Sequence, residues 1–311
     1  MLTATPAAVG SGRAPRRSRS SGAHLTIVLS AILLVFLPRL ARSDWTLGAD
    51  ARLRHDNNVG NAGTYDDIFE DTIVDARVSL SQLFRIGENY SLSVGGDVSG
   101  KSYNRLKGLN SASLGGALAV KRKFGLGAYV PWIRIGLSIA HSDYNDDYRN
   151  ATVYRTTLSA GQRLDERWNL WAEYAYEWRA ANSQPELVPG ISGDAYSQTG
   201  QTLTGSVEYA LNERISLVLG ALLRHGDVVS TTEPSLGVFT AARAIAADPA
   251  FGPDEYAYKL TGTTFGFRVG INYSPTAHSL LGLGFQRLET HADGGNKYTK
   301  SIPEISWDYR F

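Results

Sequence analysis

Six histidines, and the carboxylates near them, are the residues of this chain whose types most readily do chemistry. The stretch HSDYNDDYRN, residues 141–150, brings His141, Ser142 and Asn150 close together. A serine nucleophile needs a base within hydrogen-bond reach and a third group to orient that base. Adjacent residues on a strand point to opposite faces, so His141 and Ser142 do not form such a pair. His55, His225 and His291, with Asp56, Asp143 and Asp227, have the types for a metal or protease-like site. They come from well-separated stretches, and loop His and Asp are ordinarily just solvated. Cysteine is absent, which removes thiolate ligands, disulfides and a Cys nucleophile. The reading is non-enzymatic, with no catalytic residue, metal or cofactor expected.

A second set of charges has a different regularity. In RWNLWAEYAYEWRA, residues 167–180, Trp168, Leu170, Ala172, Tyr174, Tyr176 and Trp178 share one face. Asn169, Glu173, Glu177 and Arg179 share the other, with Trp171 interrupting the polar row. The same period of two runs through YSLSVGGDVSGK, ISLVLGALLR and TFGFRVGINY. Their second face is mostly Gly, Ser, Thr and Ala with isolated charges. Basic residues on it include Arg52, Arg54, Arg77, Lys101, Lys121, Arg134, Arg155, Arg179, Arg224, Arg268, Lys300 and Arg310. Acidic ones include Asp50, Asp75, Asp97, Glu173, Glu177, Glu208, Glu304 and Asp308.

The elements that must carry these residues are strands, because period two is the mark of a strand with two different faces. Twelve are expected, near 44–55, 71–83, 90–103, 111–122, 129–142, 151–163, 168–180, 198–209, 215–225, 256–273, 279–289 and 298–311. Their connections alternate. FRIGEN, KFGLG, LDER, ALNE and SPTAH are short, whereas DNNVGNAGTYDDIFE, NSQPELVPGISGDAYSQ and the stretch 226–255 are long and polar. Short turns at one end and long loops at the other describe a transmembrane up-and-down barrel. Strands of a soluble sandwich average about five or six residues. Most runs here reach the length a tilted strand needs to cross a bilayer. The expectation is an all-β chain forming a closed antiparallel barrel, with both termini periplasmic. Trp45, Trp132, Trp168, Trp171 and Trp307, with Tyr90, Tyr129, Tyr209 and Tyr273, fall near the periplasmic ends. Tyr103, Tyr154 and Trp178 lie toward the other rim, and the two groups are expected to form interfacial belts.

Both ends of the chain fit this plan. Residues 1–24 carry Arg13, Arg16, Arg17 and Arg19 without an acid, and LTIVLSAILLVFL follows at 25–37. A basic region, a short apolar run and a small-x-small site ending at Ser43 make a signal peptide over 1–43; the barrel domain is then 44–311. The segment takes six of the 31 basic residues and none of the 30 acidic, leaving 25 against 30, a formal −5. That balance argues against a nucleic-acid partner. At the other end, Ile305, Trp307, Tyr309 and Phe311 alternate with Glu304, Ser306, Asp308 and Arg310. This is expected to be the closing strand, paired with the first so that no edge is open in lipid.

An alternating aromatic strand ending in Phe311 resembles the C-terminal signature of Gram-negative outer-membrane proteins. The resemblance implies that Trp307, Tyr309 and Phe311 are recognised by the barrel-assembly machinery, with outer-membrane lipid as the final surrounding. The first strand and RHDNNVGNAG, within residues 45–63, look like the strand-plus-D-x-N-V opening of porin-type outer-membrane families, some associated with exopolysaccharide systems. Some twelve-stranded barrels are hydrolases, but outer-membrane phospholipase A has a His-x-Ser spacing that this chain lacks.

The function expected is a porin-like channel passing small hydrophilic solutes with a weak anion preference, since rings of Arg and Lys can select anions. Its pore-lining residues are Arg52, Arg77, Lys101, Arg134, Arg155, Glu173, Arg224, Arg268 and Asp308. Most luminal charges are expected to pair, leaving an excess around Arg134, Arg155 and Arg224. The alternatives are an export or assembly barrel for exopolysaccharide or another envelope polymer, with luminal aromatics such as Trp171 supporting sugar passage, and a sealed structural or adhesive barrel. GVFTAARAIAADPAF, residues 237–251, predicts a helix, because Ala-rich sequence favours one. It lies in the longest extracellular loop, placed to cover or narrow the mouth.

Overall fold

Strands with one apolar face can enter lipid only if every backbone edge is paired, and the architecture meets that demand by closure. The computed structural model describes residues 45–311; the expected signal peptide over 1–43 lies outside the described residues. The strands are β1 Trp45–Asp56, β2 Asp71–Ile86, β3 Tyr90–Tyr103, β4 Ser111–Lys123, β5 Trp132–Tyr144, β6 Ala151–Arg163, β7 Trp168–Ala181, β8 Gln198–Ala210, β9 Ile215–Thr232, β10 Ala244–Ala247, β11 Tyr256–Thr276, β12 Ser279–Ala292 and β13 Lys297–Arg310. A helix, α1, spans Leu236–Ala241. All strands but β10 form one antiparallel barrel of twelve, each beside its sequence neighbour, with β9 pairing directly to β11. The barrel closes between β13 and β1, where Trp307 faces Ala51 and Ile305 faces Leu53. The Phe311 amide donates to the Leu47 carbonyl at 3.0 Å. The last strand therefore completes the wall, as its alternation predicts.

One face of every spanning strand is apolar and turned outward. Leu53, Val74, Val94, Leu118, Ile135, Leu137, Leu158, Leu203, Leu219, Phe267, Val269 and Leu283 are all exposed on it. Trp45, Trp168, Trp307, Tyr90, Tyr129, Tyr154, Trp178 and Tyr273 are exposed as well, and Trp168 packs on Tyr209 at 4.6 Å between ring centroids. Three aromatics expected in the belts are instead turned inward. Trp132 shares its phase with Arg134 and packs beneath Lys121, whose Nζ lies 4.3 Å from the indole centroid. Trp171 shares the phase of Glu173, and Tyr103 that of Lys101. Alternation is strict, so phase decides the face whatever the side chain prefers.

The periplasmic turns are closed by local capping. Asp165 Oδ1 accepts from the Arg167 and Trp168 amides, and Asn212 Oδ1 from those of Arg214 and Ile215. The other end is different, because β9 and β11 run on beyond the neighbouring strands. Gly226, at φ +144°, sits opposite Gly262 where this hairpin bends. A Cβ at Gly226 would lie 2.5 Å from the Gly200 Cα, so only glycine fits that approach. Past the bend, Val228 and Leu260 are buried against the inward-facing Tyr298, with Val238, Ala241 and Ala292 around them. The hairpin thus folds over the barrel mouth.

Of the segment expected to be helical over 237–251, only the first five residues are, within the helix Leu236–Ala241. From Ala244 to Ala247 it is β10, added to β11 beyond the end of β12. Ala-rich propensity is a weak prior, and the free upper edge of β11 offers backbone partners that override it.

Candidate channel interior and its lid

Small residues on the inward face leave space, and charged ones spaced between them cross-link neighbouring strands. Arg54 and Lys101 both reach Asp75, at 3.1 and 3.8 Å. Arg77 meets Asp97 at 2.7 Å, and Arg155 meets Glu173 at 3.0 Å and Glu177 at 3.6 Å. Arg268 reaches Glu304 at 2.9 Å, past β12 where Gly284 leaves room. Lys300 meets Asp56 at 3.1 Å. Of the residues expected to line a pore, Arg77, Lys101, Arg155, Glu173 and Arg268 are thus in ion pairs. Arg155 was expected among the charges in excess; two carboxylates from β7 engage it instead. Arg134 and Arg224 have no carboxylate within 4.0 Å among the described residues. Arg134 stands opposite Lys121 on β4, a like-charged cross-strand pair. Asp308 stands opposite Asp50 on β1, and the field of Arg52 and Arg77 reaches that pair.

Among the described residues, two cavities lie inside the barrel. The inner one, about 340 Å³, is lined by Trp171, Glu208, Arg268, Asn272 and Gln286. The outer one, about 500 Å³, lies among Arg54, Tyr103, Tyr144, Arg224, Tyr298 and Lys300. Leu222 and Gln286 line both. Above the outer chamber, residues 233–255 form a lid that reaches each of the five other outer loops. Phe251 meets Phe69 of the first loop edge-on, at 5.3 Å. Ala250 sits over Gly108 of the second, where a Cβ would lie 2.7 Å from it. The Gln184 side chain, from the fourth loop, donates to the Ala247 carbonyl and accepts from the Ala247 amide. Ala241 packs on Gly294 of the last.

The contact with the third loop is ionic. Arg149 Nη2 lies 2.6 Å from Asp248 Oδ2, and the Asp248 side chain is fully buried. Thr231 Oγ1 donates to the same carboxylate at 2.7 Å, and the Arg149 guanidinium stacks 4.3 Å from the Tyr196 ring centroid. Asp146 adds a second carboxylate at 3.3 Å. Burial is the largest single effect and disfavours the Arg149 cation, but Asp248, Tyr196 and Asp146 together outweigh it and hold the group above the ordinary arginine pKa. Broken on one side, such a pair leaves a buried charge uncompensated.

The histidines are not gathered. His55, His141 and His225 each bond Nδ1 to a threonine on the adjacent strand, Thr72, Thr152 and Thr263, at 3.0–3.2 Å. All three lie on the outward face. His291 pairs with Glu289 at 2.8 Å. Ser142 turns inward to Ser113, at 2.7 Å, away from His141. Asp56 and Asp227 bond Lys300 and Arg243 instead. Asp248 of the lid, and Arg149, Gln184 and Thr231 that hold it, were not singled out from the sequence. The only signal there is an arginine among three nearby acids, Asp143, Asp146 and Asp147; its buried partner Asp248 lies 99 positions away.

The closed wall, its lipid-facing exterior and the polar interior have counterparts among solved structures. The COG4313 outer-membrane channel from Pseudomonas putida F1 superposes at TM-score 0.57 and 13% identity, over 86% of this chain and 96% of that one. The fold is that of the outer-membrane β-barrels. The NanC porin superposes at TM-score 0.44 and 12% identity, over 84% and 98% of the two chains. A KdgM porin, solved in complex with disordered oligogalacturonate, gives 0.43 and 12%, over 85% and 99%. No family model matches the sequence, and no curated protein matches it.

Proposed function

We propose that the protein is an outer-membrane channel for small hydrophilic solutes, with a weak preference for anions. The observation that carries this reading is the interior itself, two cavities sharing Leu222 and Gln286 and walled by small and charged residues. A barrel that serves only as a wall gains nothing from solvated space along its axis, whereas a pore needs it. The anion preference rests on Lys121 and Arg134 at the periplasmic end and Arg224 in the outer chamber, cations without an ion pair among the described residues. Against them stand the facing carboxylates Asp50 and Asp308. Converting Lys121 and Arg134 to Gln tests the preference. In a bilayer with a salt gradient, the reversal potential of the double variant moves toward the cation side by several millivolts. An unchanged reversal potential contradicts the assignment.

A second reading, the sealed barrel, is favoured by one observation: the lid reaches every other outer loop. Under that reading the folded protein passes no ions with the lid in place. Passage of an envelope polysaccharide remains the proposal that Trp171, facing the inner cavity, would serve. The closing strand is proposed as the part read by the barrel-assembly machinery, through Trp307, Tyr309 and Phe311.

A further inference from the structure

We propose that the outer chamber is a binding site for a small hydroxylated carboxylate, such as a sugar acid, held through Arg224. The inference rests on the channel reading for how the ligand arrives, and on the chamber itself for its chemistry. At about 500 Å³ the space is the size of an ordinary small-molecule pocket. Four cations line it, Arg54, Arg149, Arg224 and Lys300. Three are committed to carboxylates of the wall or lid: Arg54 to Asp75, Arg149 to Asp248 and Lys300 to Asp56. Arg224 is not. The Glu177 carboxylate acts on it from beyond ion-pair distance and is itself paired with Arg155. Asp227, also on the chamber wall, is taken by Arg243 and the Thr199 amide.

The guanidinium of Arg224 lies against Gly200, where a Cβ would come within 2.7 Å of Nη2. The strand thus leaves room for a fork that pairs well with a planar carboxylate. A single uncommitted cation calls for one negative charge, not several. The remaining polar groups suit hydroxyls. The amides of Gln198 and Gln286 and the phenols of Tyr103 and Tyr144 line the same space. The Tyr298 hydroxyl is buried with no hydrogen-bond partner among the described residues. A buried polar group left unpaired is costly, and a hydroxylated ligand brought beside Arg224 would relieve it.

The test is calorimetric titration of the full protein, extracted from membranes in detergent, with D-glucuronate, glucose and inorganic phosphate as probes. Heat-modifiable migration establishes that each variant is folded. The expected result is saturable glucuronate binding that glucose does not show and phosphate shows more weakly. Arg224→Gln should weaken it at least about tenfold, the scale of one lost charge-assisted bond. Arg224→Lys should retain part of it, and Tyr298→Phe should weaken it several-fold. The proposal is overturned if the folded protein binds no glucuronate, if glucose or phosphate binds as tightly, or if Arg224→Gln binds unchanged. Binding in detergent does not depend on conduction. A protein that binds but never conducts therefore sinks the channel and keeps the site, and one that conducts without binding does the opposite.

Discussion

Asp248 and Arg149 show how much of the lid hangs on single side chains. The carboxylate is fully buried and takes both the guanidinium and the Thr231 hydroxyl. Asp248→Asn keeps the shape and removes the charge, leaving Arg149 buried and only partly compensated by Asp146. The cost is about 3–5 kcal/mol by analogy with other broken buried pairs, and it falls on the lid because the barrel wall has its own ladders. Limited proteolysis checks this. Cleavage within 233–255 should become at least tenfold faster in the variant while the barrel stays heat-modifiable; equal cleavage rates would mean that the latch does not hold the lid. Neither residue stood out in the sequence, because nothing local marks a pairing across 99 positions. The charges of the wall were legible because most partners lie on adjacent strands in the same phase; Arg268, which reaches Glu304 past β12, is the exception.

At the scale of the element, the lid also carries an acid that is out of its ordinary range. Burial, reinforced by the negative field of Asp67, Glu233, Asp248 and Asp254, raises the Glu255 carboxyl to about 7. Burial also raises Asp146, against the opposing charge of Arg149. A folded-state pKa above the unfolded value stabilises the protonated side of the titration. The contribution is therefore fully present below the ordinary carboxylate pKa and is lost as pH rises through about 7. The lid should be tighter at about pH 6 than at about pH 8, with faster proteolysis of 233–255 and more frequent channel opening on the alkaline side. Glu255→Gln should flatten that dependence; a variant with the same pH profile as the parent would remove Glu255 from the account. The lid is also where propensity misleads. An Ala-rich run reads as helix by local preference, but Ala244–Ala247 pair with β11 and Ala247 also bonds the Gln184 amide.

The whole molecule was the most legible part. Lipid on one side of a strand and an enclosed interior on the other impose period two along its full length. Twelve strands could therefore be placed from alternation and turn residues alone; β9 runs past its expected end at 225 to Thr232, beneath the lid, and β11 runs three residues past 273 at the periplasmic end. The interior was legible in composition but not in detail. Phase put Trp132 and Trp171 inside despite their preference for an interface, and the register of β6 with β7 gave Arg155 two carboxylates. The closing strand belongs to this scale as well. Trp307 donates to Ser279 at 3.1 Å, and Tyr309 packs on Phe311 at 4.7 Å between ring centroids. Replacing Tyr309 and Phe311 by Ala should lower the yield of folded protein in the outer membrane several-fold, while the fraction that does assemble keeps its heat-modifiability. An unchanged yield would remove these residues from assembly.

The central claim is that the interior conducts, and single-channel recording of the full protein in a planar bilayer tests it most directly. The account predicts discrete, stable conductance steps, with a reversal potential on the anion side when a salt gradient is applied. A heat-modifiable, correctly folded barrel that shows no steps at any pH would contradict it.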